Sequence, residues 1–338
     1  MPASPPRFLA APLLTQTDRG LYCPPGDFYV DPWRPVDRAI ITHAHADHSR
    51  PGHRHYLAHR DSWPVMQRRL GDISGEVVEY GEVIRCNDVN VSLHPAGHIL
   101  GSAQIRVEHR GEVWVVTGDF KRDPDATCAA FEPQRCHTLI SEVTFGYPVY
   151  RWPGEAAIIR QVQDWWAQSR ARGETAVLFC YALGKAQRIL HGLRDLDEPV
   201  VVHGALPPVN AIYEEAGVPL ARCETVGRER RDFAGRLVMA PPSAAGSPWM
   251  KRFRNRSTGF ASGWMQLRGN RRRRGYDRGF VLSDHADWNG LLQTVDDSHA
   301  ERILLTHGDS GPLERLLQER GLDARALATT RPAAEDGA

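Results

Sequence analysis

Residues 43–48 read His43-Ala44-His45-Ala46-Asp47-His48, an H-x-H-x-D-H pattern with four ligand-type side chains in six positions. Imidazole and carboxylate together suit zinc or a similar divalent cation. The pattern follows Ala39-Ile40-Ile41-Thr42, whose β-branched run reads as a short buried strand. In an extended or turning backbone alternate residues share a side, so His43 and His45 converge on one ion while Asp47 and His48 face a second. The competing reading is a polar loop that is merely rich in histidine. Four ligands at this spacing directly after a strand argue against it. Two complete sites need further ligands, and other strand ends supply them. His98 follows the alternating stretch 90–94, and Asp119 follows Val113-Trp114-Val115-Val116-Thr117. A carboxylate there can reach two cations with its two oxygens. His307 closes the run Arg302-Ile303-Leu304-Leu305-Thr306.

With these residues assembled, the chain resembles the metallo-β-lactamase superfamily, and within it the β-CASP nuclease branch. The superfamily's metal motifs correspond to His43, His45, Asp47 and His48, then His98, Asp119 and His307. The branch's own motifs correspond to Glu142 in Leu139-Ile140-Ser141-Glu142-Val143-Thr144-Phe145-Gly146, to His285 in Leu282-Ser283-Asp284-His285-Ala286-Asp287, and to His307 itself. The stretch 181–187 is also family-like. The resemblance runs over residues 14–322, and residues 20–35 are most similar to the bacterial DNA-ligase-associated exonucleases.

The resemblance implies a metallo-β-lactamase αββα sandwich with an inserted α/β β-CASP lid domain. It implies two divalent metal ions, zinc first and manganese as the alternative. One ion takes His43, His45, His98 and Asp119; the other takes Asp47, His48, Asp119 and His307. The chemistry is two-metal phosphodiester hydrolysis, in which water is activated between the cations. His285 protonates the leaving sugar oxygen while Glu142 holds its other ring nitrogen. Asp47 counts with these two among the catalytic residues. The products carry a 5′-phosphate and a 3′-hydroxyl.

The elements that must position these residues can be read from the same 338 residues. A 41% apolar content is enough to bury one large core or two linked ones. Strand-like runs dominate up to Glu142. An amphipathic helix over 155–170 follows, with Ile158, Ile159, Val162, Trp165 and Trp166 on one face. Strands at 176–181, 199–202 and 237–240 then alternate with helices at 185–193 and 207–215. That alternation predicts a parallel sheet covered by helices. It falls between Asp119 and His307, so it is an insertion. The expected domains are 1–150 and 275–326 for the metal-binding fold, 151–274 for the insertion, and a disordered tail over 327–338.

Six cysteines without C-x-x-C spacing read as thiols in a reducing, cytoplasmic setting. Prolines break the short apolar stretch 8–14, which argues against a signal peptide, and no stretch reaches membrane-spanning length. Net charge is +1, but residues 233–276 hold ten Lys or Arg and no Asp or Glu. Lys251, Arg252, Arg254, Arg271, Arg272, Arg273 and Arg274 in this block, with Arg236, Arg256 and Arg268, read as a phosphate-backbone track. The alternative is a solvated loop. Trp249, Phe253 and Trp264 stack on bases or belong to the core. Lys185 opens a helix after Gly184 and is a further phosphate candidate. Asp31 is a candidate support for the ligands. His53, His55 and His59 lead into a helix starting near residue 61 with Pro64 in its first turn, and are not assigned to metal.

The expected function is a metal-dependent DNA exonuclease acting on single strands or strand ends. The family resemblance adds repair as its setting, a DNA ligase and a helicase as companions, and digestion from the 3′ end. The alternatives are an RNA-processing nuclease and a catalytically silent scaffold. Complete ligand positions and the Glu142/His285 pair argue against the scaffold.

Overall fold

The computed structural model describes residues 11–227, 232–267, 269 and 275–327. Residues 8–10, Arg268, Arg271, Arg272, Arg273, Arg274 and the tail from residue 328 lie outside the described residues. The chain divides into two compact units. One comprises residues up to Pro124, Cys128–Pro148 and the chain from His285; the other comprises Asp125–Thr127 and Val149–Asp284.

The first unit holds two sheets. One orders β1 (Thr15–Gln16), β2 (Leu21–Cys23), β3 (Phe28–Val30), β4 (Arg38–Ile40), β5 (His55–His59) and β6 (Gly75–Val78). The other begins with β7 (Val83–Cys86), β8 (Val89–Pro95), β9 (Ala103–His109), β10 (Glu112–Val116) and β11 (Thr138–Glu142). Helix α1 (Trp63–Leu70) lies between β5 and β6 in the chain, with Pro64 in its first turn. Alternate side chains of the two sheets, including Phe28, Val30, Ile40, Val91, Ile105, Trp114 and Ile140, make one buried core.

The second unit follows. Helix α2 (Glu155–Ala171) leads to β12 (Thr175–Phe179), α3 (Lys185–Gly192), β13 (Val200–Val202), α4 (Pro207–Glu215), β14 (Cys223–Thr225), β15 (Leu237–Ala240), β16 (Arg256–Ala261) and β17 (Arg278–Phe280). These strands form one parallel sheet in the order β14-β13-β15-β12-β16-β17. The apolar face of α2 packs on it through Ile158, Ile159, Val162, Trp165 and Trp166. The expected return to the first fold at residue 275 falls later, because β17 pairs with β16 and extends this sheet. Phe253 is buried at the opposite face with Phe233, Met250 and Phe260, and Trp249 packs against that cluster.

Inside this unit Arg188 is buried and surrounded by acid. Its Nε lies 2.5 Å from Glu155 Oε2 and 3.6 Å from Asp125 Oδ2, and its Nη1 donates to Ser283 O at 2.5 Å and to Asp284 Oδ1 at 3.1 Å. Burial disfavours its charge, but the Asp284, Asp125 and Glu155 carboxylates outweigh that and hold its pKa above the ordinary value. Arg188→Met leaves those carboxylates without their cation. It is expected to cost about 3–5 kcal/mol, read as a lowered urea midpoint, and an unchanged midpoint would contradict this.

The chain then re-enters the first unit through α5 (Trp288–Ser298), β18 (Arg302–Thr306), α6 (Gly311–Glu319) and β19 (Asp323–Ala326). β18 pairs in parallel with β11, and β19 with β18. Helices α5 and α6 cover the outer face of this sheet, with Trp288, Leu291, Val295, Leu313 and Leu317 against Val113, Val115, Leu139 and Ile303. The mixed α/β architecture with several sheets agrees with the expectation from the sequence. Among the described residues no helix is long and apolar enough to cross a membrane.

Candidate metal centre

Strand direction decides where the ligands meet. β10, β11 and β18 are mutually parallel, and β8 runs the same way because β9 is antiparallel to both β8 and β10. Their C-terminal ends therefore share one edge of the sheet. The loops after β8, β10 and β18 carry His98, Asp119 and His307, while Glu142 ends β11. The end of β4 joins this edge from the facing sheet, where Ala103 N donates to Thr42 O at 2.8 Å. Gly118 lets Asp119 approach, since a Cβ at its φ of +57° would lie 2.7 Å from Thr42 Cβ.

After Thr42 the chain turns: the amides of His48 and Ser49 both donate to His45 O, at 3.2 and 2.8 Å. His43, His45, His98 and Asp119 form one group of potential ligands, and Asp47, His48 and His307 form another. In the first, His45 Nδ1 lies 3.1 Å from His43 Nε2 and 3.0 Å from His98 Nε2. Asp119 Oδ2 lies 3.5 Å from His43 Nε2 and 3.8 Å from His98 Nε2. These separations bracket the edge of about 3.4 Å expected of a tetrahedron with bonds of about 2.1 Å. In the second, His48 Nε2 lies 3.5 Å from Asp47 Oδ2, and the His48 and His307 rings stack with centroids 4.8 Å apart. Asp119 Oδ1 comes within 3.3 Å of His48 Nε2, so the two oxygens of one carboxylate face the two groups.

Two observations fit this donor set to cations. His48 Nε2 is buried and, among the described residues, meets no hydrogen-bonding geometry, facing the Asp119 and Asp47 carboxylates instead. Burial disfavours a charged His48, yet the Asp119, Asp47 and Asp31 carboxylates hold its pKa well above the ordinary value, which marks the position as one that favours positive charge. His43 goes the other way, pushed down by burial and by His48, and so stays neutral, as a ligand must. Burial would raise Asp119, but His48, His285 and His43 hold it well below the usual carboxylate range.

Asp31 supports the ligands from behind. It accepts from Thr42 N at 2.8 Å and Thr42 Oγ1 at 2.6 Å, and its Oδ2 lies 2.7 Å from His48 Nδ1. That contact fixes the ring so that Nε2 points to Asp47 and Asp119. Asp31 reaches this place with a φ of +42°, strained for a non-glycine residue.

A third group joins Asp119, Glu142 and His285. His285 Nδ1 lies 2.9 Å from each oxygen of the buried Glu142 carboxylate. Glu142 is itself held by Phe120 N, which donates at 2.7 Å, and by the Thr144 hydroxyl. The His98 and His285 rings are 4.8 Å apart by centroid, so the pair stands beside the first ligand group. Asp287 Oδ1 caps α5 by accepting from Gly290 N.

The expected nucleic-acid residues divide. Lys251, Arg252 and Arg254 are exposed, although Arg252 Nη1 donates to Gly227 O. Lys185 is a correction: it is buried, its Nζ lies 3.4 Å from Asp284 Oδ2, and its ammonium is turned from solvent. Arg236 is pinned between Glu198 and Glu224, at 2.6 and 2.5 Å. His53 is buried with its ring against Tyr56, and His59 stacks on Tyr80 at 3.5 Å; neither joins a ligand group.

No protein-family model matches the chain. A protein named "Probable DNA ligase" from Opitutus terrae is 32% identical over 91% of the chain, which covers 30% of that protein. "Transcription termination factor FttA" from Methanothermobacter thermautotrophicus is 29% identical over 58% of the chain and 37% of its own length. "RNase J-like protein" from Methanocaldococcus jannaschii is 26% identical over 53% of the chain and 50% of its own length. The chain thus spans half or less of each of these curated relatives. A solved structure from Enterococcus faecalis V583, described as a protein of unknown function, shares the fold with a TM-score of 0.61 at 12% identity, over 87% of this chain and 80% of that one. By its relatives, the chain belongs to the β-CASP branch of the metallo-β-lactamase superfamily.

Proposed function

We propose that the chain is a metal-dependent nuclease that hydrolyses phosphodiester bonds, and specifically an exonuclease acting on DNA strand ends from the 3′ side. The observation that carries the hydrolytic reading is one buried carboxylate, Asp119, facing two ligand groups beside the Glu142/His285 pair. His43, His45, His98 and Asp119 would hold one cation, and Asp47, His48, His307 and Asp119 the second. When bound, two divalent cations, zinc or manganese, would supply Lewis acidity toward the phosphodiester and acidify a nucleophilic water.

The protein's own groups do the rest. Glu142 engages Nδ1 of His285 and stabilises the charged ring, leaving Nε2 as the atom that passes a proton to the departing sugar oxygen. Asp31 and Thr42 keep the His48 ring from turning. Lys251, Arg252 and Arg254 would contact the phosphate backbone. The lid role expected of the inserted unit and the helicase companion form part of the same proposal on the family resemblance alone, and the cytoplasmic setting on the cysteine usage.

DNA repair beside a ligase is supported by the relative named "Probable DNA ligase", in which a region like this chain makes up 30% of the protein. The relative named "RNase J-like protein" favours the second reading, an RNA-processing nuclease. The deciding experiment loads the purified chain with zinc or manganese and offers matched single-stranded DNA and RNA, each labelled at the 5′ end. A ladder of shortening DNA with weak RNA cutting is the expected result. Preferred RNA cleavage would select the second reading, and no cleavage by a chain holding two metals would overturn both.

A further inference from the structure

Helix α1 touches two of the three loops that carry candidate histidine ligands. At its start, Ser62 Oγ donates to Gly101 O at 2.9 Å, in the loop that holds His98. The approach is close enough that a Cβ on Gly101 would lie 2.2 Å from Ser62 N, and Gly101 has a φ of +72°. In the helix's last turn stands Arg69. Its Nη1 donates to two carbonyls of the other loop, Ala44 O at 2.8 Å and Ser49 O at 3.2 Å. Ala44 lies between His43 and His45, which belong to the first ligand group. Ser49 directly follows His48 of the second. Burial pulls the guanidinium pKa down, while the nearby Asp47 carboxylate favours its charge.

We propose that Arg69 is a positioning residue for both metal sites at once: with Ser62 it makes α1 a strut between the ligand loops, and its guanidinium holds the two limbs of the 43–49 loop at a fixed separation. The proposal rests on reading these loops as metal-binding and is independent of nuclease activity. The turn closed on His45 O and the Asp31 carboxylate, which engages both Thr42 and His48, also tie the limbs, and the guanidinium adds one bond to each limb. Without the clamp, the His43/His45 limb and the Asp47/His48 limb can move apart. Each limb feeds a different ligand group, so both sites lose donor geometry together. Outer contacts of this kind typically change metal affinity by about 10–100-fold when removed.

The test titrates metal-depleted protein with zinc in competition with a chromophoric chelator, comparing the unaltered chain with Arg69→Gln and Arg69→Lys, and follows thermal unfolding of each metal-free protein. The expected result is that Arg69→Gln weakens both zinc equivalents by about 10-fold or more without lowering the metal-free midpoint. Arg69→Lys, which keeps the charge beside Asp47, should fall between. Unchanged zinc affinity in Arg69→Gln, or weakening confined to one equivalent, would overturn the proposal. Failure of the unaltered chain to bind two zinc ions would overturn the metal reading as well, and that outcome is distinct because it appears before any substitution.

Discussion

Asp119→Asn is expected to reduce phosphodiester cleavage by about 10³-fold or more, and to lower the zinc bound per chain below two. Its carboxylate faces both ligand groups: Oδ2 lies toward His43 and His98, and Oδ1 toward His48. The amide keeps the shape of the carboxylate but loses its charge and replaces one acceptor with a donor. That donor would point at imidazole nitrogens that must themselves coordinate. The loss also reaches His48, because Asp119 is one of the three carboxylates that raise its pKa. Metal analysis and single-turnover rates on one preparation measure both effects. An Asn variant that retains two zinc ions and the full rate would remove Asp119 from its bridging position.

His285→Ala should have a different signature. We expect kcat to fall by about 10²–10⁴-fold with zinc content unchanged, because the role proposed for the side chain is to handle a proton and not to hold a cation. Glu142→Gln should move kcat in the same direction. The double substitution should be little worse than His285→Ala alone, since the two act as a unit. Substrates with a more acidic leaving group supply the sharper check. They need less help from a proton donor, so the His285→Ala defect should shrink on them. If His285→Ala instead released zinc, the grouping of Asp119, Glu142 and His285 would have to be read as a third cation site.

The candidate ligand groups could be read in the sequence because their residues sit just past apolar strands, where periodicity changes to glycine and small residues within a few positions. His98, Asp119 and His307 are local signals of that kind. The βα alternation of the insertion was equally local. What escaped was settled by contacts between distant positions. Arg69 meets Ala44 across 25 residues, and Arg188 meets Ser283 across 95, with nothing near either arginine to announce it. Lys185 followed a glycine at a helix start, a pattern that suggests a phosphate cradle, but tertiary packing buried it against Asp284. β16 went unread because Arg256 and Gly259 interrupt its apolar character and a run of basic residues precedes it. Asp31 was legible as an acidic residue near the ligands, while its left-handed backbone was not.

The pairing of β11 with β18 joins Thr138–Glu142 to Arg302–Thr306 in register, with the whole inserted sheet lying between them in the chain. During synthesis β11 therefore waits as an open edge, its hydrogen-bonding groups exposed, while more than a hundred further residues leave the ribosome. Closure over so long an interval is entropically slow. The inserted unit, whose strands are contiguous in sequence, can complete its sheet first. Completion of the candidate ligand set is thus a late event: His307, directly after β18, arrives only when that strand docks. The open strand edge is an aggregation liability throughout that interval, before the last candidate ligand is in place.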